Sequence, residues 1–203
     1  MSKIGILAYG SLIEDPGVEL APLIVERING VQTPFNIEFA RKSSSRNDAP
    51  TLIPVESIGS PVLGVILVLC PSVTVEAAKD FLWRRETRNE KSNKHYSNPI
   101  NPTSNQVVVG EDRSFNDLDL VLFTKIGANI DSLTADKLAK LAIQSARGDA
   151  GKTKKDGISY LISVKRQNIS TPLTDEYERK ILQALGVRTL EEAHAAARKY
   201  LPS

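Results

Sequence analysis

The chain has 203 residues, of which 41% are hydrophobic and 25% are charged, as in ordinary globular proteins. Its 26 basic residues nearly balance 24 acidic ones, so we expect no nucleic-acid partner, and the longest apolar run, residues 62–70, is too short to cross a membrane. Cys70 is the only cysteine, which excludes an intrachain disulfide and predicts a cytoplasmic location.

Strand patterns dominate the first 125 residues. Apolar runs, or an alternation of apolar and polar residues, predict six strands, at residues 4–9, 35–39, 51–55, 62–69, 106–109 and 118–123. One helix is predicted between the fourth and fifth strands, from residue 75 to about residue 88. Thr74 can cap this helix, and Glu76 in its first turn suits the helix dipole.

The last third of the chain has helical patterns. Helices are predicted at residues 135–147, from Thr174 to a C-terminal cap at Gly186, and at residues 190–200 after a capping box at residues 189–192. Strands followed by helices predict one α+β domain over residues 1–203, with the helices of residues 174–200 at its periphery. Two polar stretches, residues 89–105 and 148–157, are expected to be loops that either cover a site or lie on the surface.

Several familiar nucleotide and hydrolase motifs are absent. The stretch GDAGKT has two residues between Gly148 and Gly151, where a phosphate-binding loop needs four. Gly10 is followed by no further glycine at dinucleotide-binding spacing, and Ser11 lacks the flanking glycines of a nucleophile elbow.

The two histidines and the single cysteine give no pattern of metal ligands. His95 lies alone in the first polar stretch, and His194 is expected to be packed or on the surface of the last helix. We therefore expect no zinc site.

Glu86 is an unusual residue of the predicted helix after Thr74. It follows Leu82 by four residues and so extends the apolar stripe of the helix, whereas Arg84 is expected on the opposite, exposed face. A carboxylate on a buried stripe has a raised pKa unless it is paired, and a raised pKa is typical of a general acid or base. The alternative interpretation is a salt bridge to Arg85, Arg88 or another neighbour.

Five segments, taken in chain order, resemble the γ-glutamylcyclotransferase superfamily and especially its ChaC-like branch. They are YGSL, FARKSSSRNDAPTLIP, LGVILVL, AAKDFLWRRET and DGISYLISV, and the resemblance extends over roughly residues 4 to 186. The chain departs from that branch at Glu14 and Asp15, where an aromatic residue is usual, and in the long polar stretch after Glu86.

The resemblance implies a barrel-like mixed β-sheet with flanking helices, no metal and no organic cofactor. It implies an enzyme that cyclises a γ-glutamyl group to 5-oxoproline, with Glu86 as the general acid and base. The substrate loop would be Tyr9, Gly10, Ser11 and Leu12; Tyr160 would line the pocket, and Arg41 is a weaker candidate for substrate binding.

Two other functions stay open on the sequence alone. The departures after YGSL are compatible with a non-catalytic module that binds an acidic metabolite or peptide end, and the same scaffold could pass the acyl group to water or to an external amine. The sequence selects neither the leaving group (glutathione, a γ-glutamyl dipeptide or a γ-glutamyl amine) nor the oligomeric state. A shared site predicts that Glu86 lies near residues 9–12.

Overall fold

A computed structural model describes residues 3–113 and 115–199 of the chain. Within them the strands are β1 (Ile4–Ala8), β2 (Ile24–Gln32), β3 (Asn36–Ser43), β4 (Ala49–Val55), β5 (Leu63–Leu69), β6 (Val108–Asp112) and β7 (Leu120–Lys125). The helices are α1 (Ser11–Glu14), α2 (Val75–Glu86), α3 (Ala135–Arg147), α4 (Asp149–Lys152), α5 (Gly157–Arg166), α6 (Thr174–Leu185) and α7 (Leu190–Lys199).

The chain groups into two units, each made of two separate stretches. The first unit runs through Pro34 and resumes over Leu63–Gly127, and the second comprises Phe35–Val62 and the chain from Ala128 onward. The prediction of a single domain over residues 1–203 stays a prediction.

The first unit contains a five-stranded mixed sheet with the order β2-β5-β1-β7-β6. The central strand β1 pairs antiparallel with β5 and parallel with β7. One face carries a core that includes Ile6, Leu67 and Leu122 of the sheet together with Ala78 and Leu82 of α2. The predicted α+β class and mixed sheet with flanking helices are confirmed, but this sheet is open, with β2 and β6 at its edges, and not closed into a barrel.

The second unit pairs β3 with β4 as an antiparallel hairpin and adds helices α3 to α7. Its core is built around side chains with no exposed surface, among them Phe39, Leu138, Leu161, Tyr177 and Ile181. The last two lie on α6, so this helix buries a full stripe in the second unit.

All six predicted strands are present with shifted bounds, and the sequence patterns do not predict β2. Most of its residues are exposed because β2 is an edge strand, so the apolar alternation that identifies a strand is missing. Its register also shifts between Asn29 and Val31, at Gly30 with φ 72°.

The predicted helix signals are largely confirmed. The Thr74 hydroxyl accepts a hydrogen bond from the Ala77 N–H at 3.2 Å, and Gly186 ends α6 with φ 65°. In the capping box, Thr189 Oγ1 accepts from Glu192 N at 3.1 Å, while Glu192 Oε2 accepts from Thr189 N at 3.3 Å. The patterns miss α4 and α5, which occupy and follow the lysine-rich second polar stretch.

Candidate active site

Residues 9–12, called the glycine loop below, continue from the fully buried strand β1. Gly10 has φ 67° and ψ −132°, a backbone conformation that residues with a Cβ rarely adopt. The Tyr9 hydroxyl donates to the Thr124 carbonyl of β7 at 3.0 Å, which ties the loop to the sheet. Leu12 is 6% exposed and belongs to the core cluster that includes Leu82, whereas Ser11 is only half-buried. The loop is therefore fixed by its tyrosine and leucine, and its serine reaches the surface.

Glu86 is the last residue of α2, one turn after the buried Leu82. Its side chain is 25% exposed, and its Oε1 accepts a hydrogen bond from Arg85 Nη1 at 2.6 Å. The salt bridge that the sequence left open as an alternative is therefore present. Among the residues that the structure describes, no hydrogen bond reaches the other oxygen, Oε2.

The expectation that Arg84 lies on an exposed face is wrong. Arg84 is 5% exposed, and its guanidinium donates to both carboxylate oxygens of Glu19, each at 2.9 Å. A third bond runs from Arg84 Nη1 to the Lys94 carbonyl at 2.8 Å. Hydrogen bonds from Arg84 lower the pKa of Glu19, and those to Glu19 raise the pKa of Arg84. Helical periodicity does not predict this arrangement. The burial of Arg84 depends on its ion pair with Glu19, which lies 65 residues earlier in the chain.

Arg85 joins the end of α2 to the chain just beyond the glycine loop. Its Nε and Nη2 donate to the Asp15 carbonyl at 3.0 and 2.5 Å, while Nη1 bonds Glu86. Glu90 makes a second contact with the same part of the chain: its Oε1 accepts a hydrogen bond from Val18 N at 2.7 Å. The structure thus brings the end of α2 and the segment just after it beside residues 15–18, which begin three residues after Leu12.

The polar stretch at residues 89–105 has no regular secondary structure, as expected, but it is anchored to α2. Asp80 Oδ2 lies 2.6 Å from His95 Nδ1, and Asp80 Oδ1 accepts from Tyr96 N at 2.6 Å. Burial alone would raise the pKa of Asp80, but the bonds from Tyr96 and His95, with the charge of Arg84, hold that pKa below its usual value. The expectation that His95 stands alone is therefore wrong.

Arg41 and Tyr160, the other two predicted site residues, belong to the second unit. Arg41 lies on β3, where burial lowers the pKa of its guanidinium. Tyr160 lies on α5 and is 6% exposed, with its hydroxyl accepting from Leu52 N at 3.4 Å and its ring edge-on to Phe39. Their roles in substrate binding stay predictions.

A buried carboxylic acid that the sequence analysis did not single out lies in the second unit. Glu38 is 1% exposed, although an alternating, half-buried strand would place it opposite Phe39, on the solvent side. Its Oε1 accepts from Thr171 Oγ1 at 2.6 Å and from Phe39 N at 2.9 Å, and burial raises its pKa. The alternating pattern predicts an exposed position for Glu38, but both faces of β3 are covered in its middle part.

His194 and Asp156 form a second histidine–carboxylate pair, also in the second unit. Their Nε2 and Oδ2 atoms are 3.1 Å apart, and Asp156, with no exposed surface, caps α5 by accepting from Ile158 N and Ser159 N. This agrees with the expectation that His194 is packed. Residues 3–113 and 115–199 contain no group of three or more side chains placed to hold a metal ion, and no helix among them is long and apolar enough to cross a membrane.

Comparisons with known proteins give a similarity to a solved structure. No family model matches the chain, and no curated protein matches it. Among solved structures, it is similar to a crystal structure described as a γ-glutamyl cyclotransferase specific to glutathione from yeast, with 17% sequence identity and a TM-score of 0.49. The similarity covers 98% of this chain and 97% of that chain.

Proposed function

We propose that this protein is a γ-glutamyl cyclotransferase, which releases 5-oxoproline from a γ-glutamyl amine or peptide. In this proposal Glu86 is the general acid and base, and the glycine loop holds the α-carboxylate of the substrate. Arg41 and Tyr160 remain candidate substrate contacts, and a cytoplasmic location remains a prediction.

The observation that carries the proposal is the position of the Arg85 guanidinium. It bonds the carbonyl of Asp15, three residues after the glycine loop, and also the carboxylate of Glu86. One side chain therefore links the proposed acid and base to a residue three positions after the proposed anchor, which supports a shared site.

The proposed reaction needs only groups of the substrate and the protein, so we propose no metal or organic cofactor. The α-amine of the substrate attacks its own γ-carbonyl, a carbon–nitrogen bond forms in a five-membered ring, and the bond to the leaving amine breaks. Because the two reacting groups are already tethered, correct positioning supplies much of the rate without a protein nucleophile.

The attacking nitrogen loses two protons as it passes from an α-ammonium group to a lactam N–H, one to Glu86 before attack and one to solvent after the ring closes. Glu86 Oε2 takes a proton from the α-ammonium group, which makes the amine nucleophilic, and later returns a proton to the leaving nitrogen. Arg85 Nη1 holds the Glu86 carboxylate through Oε1 at 2.6 Å, which leaves Oε2 for the proton transfer.

The glycine loop would hold the substrate through its backbone and Ser11. Successive N–H groups in a tight loop bind anions, and Gly10 with φ 67° permits such a loop at the end of β1. The half-buried Ser11 adds a hydroxyl donor at the surface.

The test is incubation with a panel of γ-glutamyl compounds, including glutathione, dipeptides and amines, followed by mass spectrometry for 5-oxoproline. Glu86→Gln keeps the shape of the side chain but removes proton transfer, so we expect kcat to fall by about 10²-fold or more. Glu76→Gln is the matched control, because Glu76 lies exposed in the first turn of the same helix, and its turnover should equal that of the wild type.

Other products contradict the proposal in distinct ways. Free glutamate would indicate hydrolysis, and a new γ-glutamyl amide would indicate transfer to an external amine. Thermal stabilisation by γ-glutamyl compounds without any product would indicate a binding module. Full turnover by Glu86→Gln would refute the role of Glu86 even if 5-oxoproline forms.

A further inference from the structure

Residues 15–18, which follow α1, are held by two side chains of opposite charge, one from the end of α2 and one from the segment just after it. Arg85 binds the carbonyl of Asp15 with two N–H groups, and Glu90 binds the N–H of Val18. The cationic side chain thus binds a backbone carbonyl, and the anionic side chain binds a backbone N–H group. We call this pair of side chains the clamp.

Gly17 shows how closely the clamp approaches the backbone. Its φ is 87°, and a Cβ built there would lie 2.7 Å from Arg85 Cγ and would collide with Glu90 Oε1. A side chain at position 17 would therefore displace the clamp, and the positive φ also favours glycine there.

The glycine loop and α1 need tertiary contacts to keep their position, and Arg27 supplies one of them, because its Nη1 donates to the Ile13 carbonyl at 2.9 Å. An isolated helix of four residues, such as α1, is not stable by itself, because helix nucleation costs more than one turn returns. The burial of Leu12 and the Tyr9 hydroxyl bond hold the loop from the side of the sheet. On the C-terminal side of α1, the clamp supplies the bonds to α2.

Arg85 differs from Glu90 in that it also touches Glu86. Its side chain is 13% exposed. Its planar guanidinium donates three hydrogen bonds, one to the Glu86 carboxylate and two to the Asp15 carbonyl. It therefore fixes the orientation of the Glu86 carboxylate and the position of the chain after the glycine loop with the same rigid group.

We propose that Arg85 is a positioning residue that sets Glu86 against the glycine loop, and that Glu90 holds only the loop side of this arrangement. The proposal rests on the cyclotransferase function proposed above. It predicts that the two residues affect different kinetic parameters.

The kinetic experiment measures 5-oxoproline formation by Arg85→Met, Arg85→Lys and Glu90→Met with an accepted γ-glutamyl substrate. Arg85→Met should lower kcat about 10²-fold, because displacing a catalytic group by about 1 Å costs a factor of that order. Arg85→Lys should recover little of it, since an ammonium group lacks the planar fork with which the guanidinium binds Asp15 and Glu86 together. Glu90→Met removes the acceptor for Val18 N; it should raise KM several-fold and leave kcat within about 3-fold, because Glu86 keeps its partner.

Arg88→Met is the matched control, because Arg88 is an exposed arginine two residues after the end of α2, and its kcat and KM should equal those of the wild type. Equal effects of Arg85→Met and Arg88→Met, or a fall in kcat with Glu90→Met as large as that with Arg85→Met, would overturn the proposal. Full recovery of kcat in Arg85→Lys would also overturn it, since charge alone would then suffice.

Hydrogen exchange of backbone amides tests the clamp independently of activity. Residues 11–18 should exchange faster in Arg85→Met and in Glu90→Met than in the wild type, with β1 and β5 unchanged. Unchanged exchange at residues 11–18 would refute the clamp itself. If the clamp is found by exchange but the wild type forms no 5-oxoproline, the proposed function fails, and the positioning role of Arg85 fails with it.

Discussion

Replacing Arg84 by methionine removes one partner of a buried ion pair and leaves the other uncompensated. The Arg84 and Glu19 side chains are 7% and 15% exposed, and two hydrogen bonds of 2.9 Å join them. Removing one partner of a well-buried pair costs about 3–5 kcal/mol. Because Glu19 keeps some contact with water, we expect the free energy of unfolding to fall by about 2–3 kcal/mol, which corresponds to roughly 4–12 °C in Tm.

The pH dependence of this loss has a definite sign. Arg84 lowers the pKa of Glu19 in the folded protein, so the pair stabilises the fold above the ordinary glutamate pKa of 4.5. That stabilisation is lost as pH falls through the lowered value in the folded state. The difference in unfolding free energy between the wild type and Arg84→Met should therefore be largest near pH 7 and shrink progressively below about pH 4.5.

Urea unfolding followed by circular dichroism, at pH 7 and at several values below pH 4.5, measures both effects. Arg84→Met combined with Glu19→Gln should recover part of the loss, because no buried charge is then left unpaired. Arg88→Met, at an exposed position, is the control and should change stability by less than about 0.5 kcal/mol. A loss below about 1 kcal/mol at pH 7, or strict additivity in the double variant, would refute the reasoning.

Two further predictions concern buried polar groups of the second unit. Burial raises the pKa of Glu38, so the stability from this group is fully present below its ordinary pKa and lost as pH rises through the raised one. Glu38→Gln should therefore gain stability relative to the wild type between about pH 4.5 and pH 7 in urea unfolding, and a constant difference across that range would contradict it. The Tyr177 hydroxyl is buried without a hydrogen-bond partner among the described residues, so Tyr177→Phe should leave Tm unchanged or raise it. Tyr160→Phe is its control and should lower Tm, because the Tyr160 hydroxyl accepts from Leu52 N; a large loss in Tyr177→Phe would show that its hydroxyl does have a partner.

Local signals in the sequence were sufficient where one segment decides its own structure. The apolar runs predict β1 and β5, and the caps at Thr74 and Thr189 predict where α2 and α7 begin, because these patterns act over a few residues. Edge strand β2 was missed for the converse reason, since its stability comes from pairing with β5 and not from its own composition.

The candidate site shows the same division. The break of β1 at Gly10 and the position of Glu86 one turn beyond Leu82 follow from the sequence, because glycine placement and helical period are local properties. The roles of the three charged residues before residue 87 do not follow from it. Helical periodicity predicts only that Arg84, Arg85 and Glu86 lie on the surface or on the apolar stripe of α2. The hydrogen bonds of the two arginines depend on Glu19 and Asp15, which are far away in the chain.

By itself, then, the sequence determined the α+β class, most strand and helix positions, and a glutamate on the apolar stripe of α2. Only the tertiary structure decided that Arg84 is buried, that Arg85 joins Glu86 to the chain after the glycine loop, and that Glu38 is enclosed. The physical reason is that a charged side chain is buried only where a partner or hydrogen-bonding groups offset the cost of losing water. Such partners come from segments that are brought together only when the chain folds.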